Sequence, residues 1–232
     1  MCRFVAAVII CFFTSLAAAA DLPRDARLGV VDALAPRLSA GFGTATDTAK
    51  APTIRDDWKL GAVAQDEAIR RLVERGYRAG AATLPTDLAD VVRRGGALRT
   101  SGTGVRLDDA FARSLARWMR TQKLDGVVVL RSLAGPLESG APAQSGYGIA
   151  RRGNGSVAYA NLAPLLVHGT PPAIAAAPRC LVTAPVERTL IEKPRTLAEL
   201  APLGPTLKDV LRKAVNGALI RAGIMTGDAA CE

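Results

Sequence analysis

The sequence has little of what most catalytic and metal sites require. It contains one histidine in 232 residues, and aromatic residues make up only 4%. It has no His-Glu-x-x-His zinc motif, no glycine-rich nucleotide loop, no Gly-x-Ser-x-Gly elbow and no Ser-x-x-Lys pair. These absences exclude the best-known zinc proteases, nucleotide-binding enzymes and serine hydrolases, and we expect neither a cofactor nor a metal.

The first twenty residues have the pattern of a secretory signal peptide. A short basic start precedes an apolar run from Phe4 to Leu16, and Ala18-x-Ala20 fits a cleavage site with Asp21 as the first mature residue. Together with the four alanines that follow it, the apolar run has about 17 residues, which is shorter than the ~20 that span a bilayer, although an uncleaved anchor is the alternative. We predict that residues 1–20 are removed and that the protein is exported, to the periplasm or beyond, with no membrane span after cleavage.

Positive charge predominates, with Lys+Arg 30 against Asp+Glu 21 and a net charge of +9. The arginines are scattered in pairs rather than arranged as a stripe with interleaved aromatics, which disfavours nucleic-acid binding. An arginine- and alanine-rich composition is also typical of GC-rich genomes. We predict no nucleic-acid partner, and only weak attraction to anionic envelope surfaces.

Two cysteines, Cys180 and Cys231, remain after removal of the leader. A single pair in an oxidising compartment predicts one disulfide, which ties the C-terminal tail to the domain. The alternative, a catalytic thiol, needs a base, and His168 is the only imidazole available.

Hydrophobic periodicity predicts an α/β (α+β mixed) domain over residues 21–232. We expect a mixed central sheet with antiparallel hairpins, about three main helices and loops near 46–57, 95–106 and 134–145. The continuous apolar run Val127–Leu130 indicates a central, doubly covered strand, and Gly153-Asn154-Gly155 indicates a hairpin turn. The other predicted strands cover residues 28–34, 38–45, 77–84, 180–182 and 189–191, and the second of these is expected to pair with the first. Two helices are predicted over 61–75 and 87–94. Two more are predicted to begin at Asp108 or Asp109 and at a capping box at Thr206.

The catalytic candidates are few. His168 precedes Gly169 at the predicted end of a strand, and a lone histidine is more often a surface residue than a catalytic one. Asp56 and Asp57 are adjacent carboxylates and a candidate acid–base pair, although adjacent side chains point apart on most backbones. For Asp57, a helix cap or a loop charge is the simpler interpretation.

Two further segments are binding candidates. Glycines expose backbone N–H groups to anions, and three arginines flank one glycine-rich loop. The candidate anion ligands in that loop are Arg99, Ser101, Gly102, Thr103, Gly104 and Arg106. Tyr147, between two glycines, is a candidate for partner contact at a strand edge, with a packed hairpin aromatic as the alternative.

Over residues 27–222 the order of elements resembles small α/β domains of bacterial envelope proteins, namely the curli-secretion lipoprotein and the activator lipoproteins of penicillin-binding proteins. The resemblance is in element order, without a shared motif or a lipid-attachment cysteine, and transfers no site residue. It implies an exported, non-catalytic accessory or binding protein, whose partner is an envelope protein or a small anionic ligand. The alternative is a periplasmic hydrolase that uses His168 or Asp56 and Asp57.

Overall fold

The computed structural model describes most of the chain after the predicted leader. The described residues are 22–41, 53–101, 104–137, 139, 143–153, 155–186 and 198–232. The leader, the strand predicted over 189–191, and the residues Gly102, Thr103 and Asn154 lie outside them. Within the described residues, no helix is long and apolar enough to cross a membrane.

The described part of the chain forms an α+β fold with two five-stranded sheets and four α-helices. Sheet A has the order β13-β12-β7-β1-β4, and sheet B has the order β14-β11-β10-β2-β3. The strands of sheet A are β1 Arg27–Asp32, β4 Arg78–Ala82, β7 Gly126–Leu130, β12 Leu165–His168 and β13 Ala173–Ala176. The strands of sheet B are β2 Arg37–Gly41, β3 Thr53–Arg55, β10 Gly146–Arg152, β11 Gly155–Leu162 and β14 Cys180–Val186. Two small hairpins pair β5 Leu98–Ser101 with β6 Gly104–Leu107, and β8 Gly135–Pro136 with β9 Ala143–Gln144. The helices are α1 Leu60–Glu74, α2 Thr86–Arg93, α3 Asp109–Gln122 and α4 Gly204–Arg221.

Strand β7 is buried along its whole length, as its continuous apolar sequence predicts. It lies parallel to β1, which in turn lies parallel to β4. Val127 and Val129 pack into the cluster formed with α2 and α3, whereas Val128 and Leu130 pack into the cluster formed with α1 and α4. Sheet A is therefore covered by helices on both faces.

Helix α4 packs against β11 and β14 of sheet B and against α1, and α1 packs on β1 and β4 of sheet A, so the two helices connect the cores of the two sheets. The predicted hairpin is present as the antiparallel pair β10–β11, and Gly153 at its turn has a φ of 56°. The structure joins Cys180, at the start of β14, to Cys231 in the C-terminal tail through a disulfide. A Cβ at Gly217 of α4 would overlap both sulfur atoms, so glycine there makes room for the bond.

The fold class is confirmed, but some of the expected details differ. Strand β2 does not form a hairpin with β1; it pairs in parallel with β10, which creates a second sheet where one was predicted. The predicted loop near 95–106 contains the β5–β6 hairpin, because Leu98 and Leu107 pair across it and pack on the α2–α3 cluster. The last helix begins at Gly204, and no side chain caps its first turn, so the capping box predicted at Thr206 is absent.

Candidate functional site

Asp32 ends strand β1, at the carboxyl edge of the parallel part of sheet A, where ligands of open α/β sheets commonly bind. Its Oδ1 accepts a hydrogen bond from the Leu34 N–H at 2.9 Å. Its Oδ2 lies against Gly61 in the first turn of α1, so closely that a Cβ at that position would overlap it. Asp32 is not among the residues predicted from the sequence, although an acidic residue at the end of a buried parallel strand is a usable signal.

Asp56 lies at the same end of α1. Its Oδ2 accepts hydrogen bonds from the Leu60 N–H at 2.7 Å and from the Tyr147 hydroxyl at 2.8 Å. The same hydroxyl lies 3.0 Å from the Ala35 carbonyl oxygen. Since the N-terminus of a helix favours negative charge, the Asp32 and Asp56 carboxylates both stabilise the start of α1. We refer to Asp32, Asp56 and Tyr147 as the acidic junction.

Tyr147 is buried, with only 2% of its surface exposed. The prediction that it contacts a partner is therefore wrong, because its hydroxyl points inward to Asp56 rather than to solvent. Its position on β10 of sheet B and its bond to Asp56 connect sheet B to the start of α1, next to the end of β1 in sheet A. The side chain is part of the packing between the sheets.

In the acidic junction, the Asp32 carboxyl and the Tyr147 hydroxyl both have raised pKa values, which favour their neutral forms. Burial raises the pKa of the Asp32 carboxyl and the charge of Asp56 adds to the rise, while the Leu34 N–H and Arg93 oppose it. Burial, followed by the hydrogen bond to Asp56, raises the pKa of Tyr147. Tyr147 is therefore a proton donor to Asp56 and not a base. Within the described residues, Asp56 Oδ1 is buried without a hydrogen-bond partner.

Asp57 has a different environment from Asp56. Its Oδ1 lies 3.2 Å from the Arg55 Nε in an ion pair at the surface, where both side chains are mostly exposed. The structure therefore directs the two carboxylates to different partners, and Asp56 lies instead near Asp32. The two aspartates do not form the alternative acid–base pair, and Asp57 is a surface charge.

His168 lies at the opposite end of sheet A. It pairs with Gly126 at the start of β7, whereas Asp32 pairs with Leu130 at its end, and four strand residues span about 13 Å. His168 lines a cavity of about 290 Å³. The cavity is also lined by Leu22, Pro23, Ala116, Met119, Arg120, Leu124, Asp125, Gly169, Thr170 and Pro172, so its described lining contains no serine or cysteine.

The predicted anion-binding segment is now the β5–β6 hairpin and the start of α3. Arg99 Nε lies 2.8 Å from Asp108 Oδ2, and Arg106 Nη1 lies 2.7 Å from Asp109 Oδ1. Asp108 also caps α3 by accepting the Ala110 and Phe111 N–H groups, and the hydrogen bond from Arg99 lowers the pKa of its carboxyl. Both arginines thus have carboxylate partners within the chain, which an anion would have to displace.

A different set of cations has no such partners. Arg113, Arg117 and Arg120 are exposed on α3 at i, i+4 and i+7, which places them on one side of the helix. None of the three forms an ion pair with a residue that the structure describes. We refer to these three residues as the α3 basic face.

The arginines of α1 are neutralised. Arg70 Nη2 and Arg71 Nε lie 2.6 and 2.9 Å from Oε1 of Glu67, whose side chain is only 6% exposed. Arg71 also pairs with Glu74 at 3.2 Å. The arginine-bearing surfaces of α1 and α3 therefore differ, because of these two only the surface on α3 presents positive charge without an ion-pair partner among the described residues.

Comparison with known proteins gives no family. No protein-family model matches the chain, and no curated protein matches it. Among solved structures, a dodecamer of a PelC variant from Paraburkholderia phytofirmans has a TM-score of 0.38 at 12% identity, covering 87% of this chain and 91% of that chain. A second PelC dodecamer from the same organism has a TM-score of 0.34 at 12% identity over 87% and 89% of the two chains. A hypothetical protein from Chlamydia trachomatis has a TM-score of 0.38 at 10% identity over 82% and 98%. At this level of similarity no residue role or activity passes from those proteins to this chain.

Proposed function

We propose that this protein is an exported, non-catalytic accessory protein that binds an acidic partner protein of the cell envelope through the α3 basic face. The observation that carries the proposal is the uncompensated charge of Arg113, Arg117 and Arg120. Three cations on one helix face attract and orient an acidic surface, and they discriminate against basic ones. The disulfide is consistent with folding in an oxidising compartment.

The contrast between α1 and α3 supports this choice of surface. If the arginines reflected base composition alone, both helices would show similar pairing. Instead, Glu67 and Glu74 neutralise the α1 arginines, and α3 has only Asp109, which already pairs with Arg106. The charge that remains on α3 is therefore available to an acidic partner.

The arrangement of the candidate catalytic residues also favours a binding role. His168 is separated from the acidic junction by the length of β7, and Asp57 is paired at the surface. In the junction, Asp56 accepts two hydrogen bonds and caps α1. Asp56 and Asp57 thus have structural partners in the described fold, and His168 lies away from the acidic junction, so the arrangement gives no specific support to the hydrolase alternative.

The test compares two triple variants that remove the same amount of charge. One carries Arg113→Ala, Arg117→Ala and Arg120→Ala. The control removes three exposed or half-exposed cations of α4 by Lys208→Ala, Arg212→Ala and Lys213→Ala. Each tagged full-length protein is expressed in the native host, the periplasm is lightly crosslinked, and captured proteins are quantified by mass spectrometry.

We expect the wild type and the α4 control to recover the same acidic protein in near-stoichiometric amount, and the α3 variant to recover at least tenfold less of it. Equal recovery by all three proteins would show that α3 is not the binding surface. Recovery of no protein above an exported control would overturn the accessory role. Circular dichroism checks that both triple variants are folded.

A further inference from the structure

Strand β4 forms one edge of sheet A and pairs only with β1 among the described residues. The Arg78 N–H donates to the Ala26 carbonyl oxygen at 3.0 Å, which sets the hydrogen-bond pattern of this parallel pair. Because the pattern alternates along a strand, the N–H and C=O groups of Ala79 and Ala81 point away from β1. They form an open backbone edge beside the sheet.

This edge lacks the features that usually prevent strand addition, such as proline, bulges and repeated charge. At other sheet edges, β14 contains Pro185 and the β12–β13 pair has an irregular register. In β4 only Arg78 is charged, and the remaining residues are alanine and glycine. A Cβ at Gly80 would meet nothing within 4 Å, so the sheet surface is also open there.

A groove of about 600 Å³ follows this edge. On the α1 side it is lined by Val73, which is 52% exposed and is one of two large exposed hydrophobic residues in the described chain. On the α3 side it is lined by Gln122 and Leu124. An extended chain that paired with β4 would direct alternate side chains to these two sides.

Charge indicates what kind of chain fits. Arg27 and Arg78 are direct neighbours in the parallel register, so their side chains lie on the same face of the sheet. Arg78 has a long ion pair with Asp25 at 3.8 Å, and Arg27 has no ion-pair partner among the described residues. Adjacent like charges disfavour pairing, and an acidic side chain beside Arg78 would offset them.

A second copy of the chain fits this edge less well. Antiparallel self-pairing centred on Gly80 would place Ala82 opposite Arg78 and supply no carboxylate. Parallel self-pairing would place Arg78 beside its own copy, which adds repulsion. The charge pattern therefore favours a different protein with an acidic extended segment.

We propose that β4 accepts an extended segment of an acidic partner protein as a sixth strand of sheet A. Backbone bonds form to Ala79 and Ala81, an acidic side chain lies beside Arg78, and an apolar side chain packs on Val73. This inference specifies how the partner in the proposed function would bind. It depends on the proposed function only for the acidity of that partner. Gln122, at the C-terminal end of α3, lines the groove, whereas the three arginines of the α3 basic face do not, so the two surfaces are separate.

The experiment uses a defined probe in place of the native partner. The probe is a fluorescein-labelled seven-residue peptide of alternating valine and threonine with one glutamate, and its counterpart has lysine in place of glutamate. Binding to the full mature protein is measured by fluorescence anisotropy. Ala81→Pro removes an outward N–H without removing a bond to β1, and Ala81→Thr keeps that N–H as the matched control.

We expect the glutamate peptide to bind the wild type at least tenfold more tightly than the lysine peptide. Ala81→Pro should weaken binding at least tenfold while Ala81→Thr changes it less than twofold. Amide exchange in the wild type provides a second measurement, in which the peptide should protect the N–H groups of Ala79 and Ala81. That measurement keeps the test valid if the proline variant does not fold.

Three results would overturn the inference. The first is that the glutamate peptide does not bind the wild type. The second is that it binds a folded Ala81→Pro variant as tightly as the wild type. The third is that the wild type forms a dimer that Ala81→Pro dissociates, which would assign the β4 edge to a second copy of the chain. The α3 triple variant should still bind the short peptide. A failure of strand addition is therefore distinguishable from a failure of the α3 surface to bind the native partner.

Discussion

At Asp32 the fold holds a carboxylate where its charge is disfavoured. The carboxyl group is partly desolvated against Gly61 and faces the negative charge of Asp56, and both effects raise its pKa. The Leu34 N–H and the helix N-terminus offset only part of this. The raised pKa means that the folded protein binds a proton at Asp32 more tightly than the unfolded chain does.

That difference sets the sign of a pH dependence. Between the ordinary aspartate pKa and the raised pKa of Asp32, the folded state holds more protons, so the free energy of unfolding falls as pH rises. Asn at position 32 keeps an oxygen for the Leu34 N–H and carries no charge. We expect Asp32→Asn to raise the free energy of unfolding at pH 7 by less than about 1 kcal/mol, since the residue is partly exposed.

Urea unfolding at intervals between pH 3 and pH 7 measures this effect. The wild type should lose stability relative to Asp32→Asn as pH rises, and the two curves should approach each other at the acid end. A variant that is less stable than the wild type at pH 7 would show that the charge of Asp32 stabilises the helix more than its desolvation costs.

Gly61 is the residue that lets the Asp32 carboxylate approach α1. Alanine normally stabilises a helix interior by about 1 kcal/mol relative to glycine, but a Cβ here would overlap Asp32 Oδ2. We expect Gly61→Ala to lower the free energy of unfolding by about 1–3 kcal/mol through this overlap. In an Asp32→Gly background the same substitution should be neutral or stabilising, and a double-mutant cycle measures the difference.

At the scale of elements, the sequence predicts what depends on local periodicity. The apolar run of β7 and the amphipathic pattern of α3 identify their elements correctly, because burial on both faces or on one stripe leaves a local signature. The pairing of β2 with β10 joins residues more than a hundred positions apart and leaves no such signature. The sequence gives little signal for the β5–β6 hairpin because its apolar anchors, the half-buried Leu98 and the buried Leu107, flank polar residues.

The acidic junction was only partly predictable for the same reason. The sequence predicts Asp57 as a helix cap or loop charge, but the residue whose Oδ2 accepts the Leu60 N–H at the start of α1 is Asp56, and Asp57 pairs with Arg55 at the surface. The proximity of Asp56 to Asp32 and Tyr147 depends on the meeting of two sheets, which nothing in the local sequence encodes. The spacing of the three arginines of the α3 basic face can be recognised in the sequence. That the α1 arginines are neutralised by ion pairs is visible only in the folded chain.

The disulfide links the C-terminal tail to β14, 51 positions apart in sequence. Closing a loop of this length stabilises the folded state by about 4 kcal/mol in the chain-entropy model. We expect the Cys180→Ala, Cys231→Ala double variant to lose about that much free energy of unfolding, measured by urea denaturation under oxidising conditions.

Reduction provides the control for that loss. Adding dithiothreitol should bring the wild type close to the double variant and leave the double variant unchanged. A double variant as stable as the oxidised wild type would mean that the tail is held by its other contacts, such as the Glu232 N–H bond to the Leu181 carbonyl oxygen at 2.8 Å.

For the whole molecule, the positive charge lies on two separate surfaces. Arg27 and Arg78 line the groove beside β4 together with Gln122 at the end of α3, whereas the α3 basic face does not line it. An acidic partner that used both surfaces would contact a helix face and a strand edge at different places on the molecule. The net charge of +9 would then have a directional role beyond solubility.

The proposed function requires that the protein is exported, and export predicts a specific mature chain. We expect protein recovered from the periplasm to begin at Asp21 and to contain no free thiol, because Cys2 and Cys11 leave with the leader and Cys180 pairs with Cys231. Intact-mass measurement with and without thiol alkylation tests both points on one sample. A chain that retains residues 1–20 would indicate a membrane anchor, and a chain with two alkylated cysteines would indicate a reducing compartment. The second result would remove the envelope partner from the proposed function, while leaving the α3 surface open to an acidic partner elsewhere. The first would attach the protein to the membrane and leave the envelope partner in place.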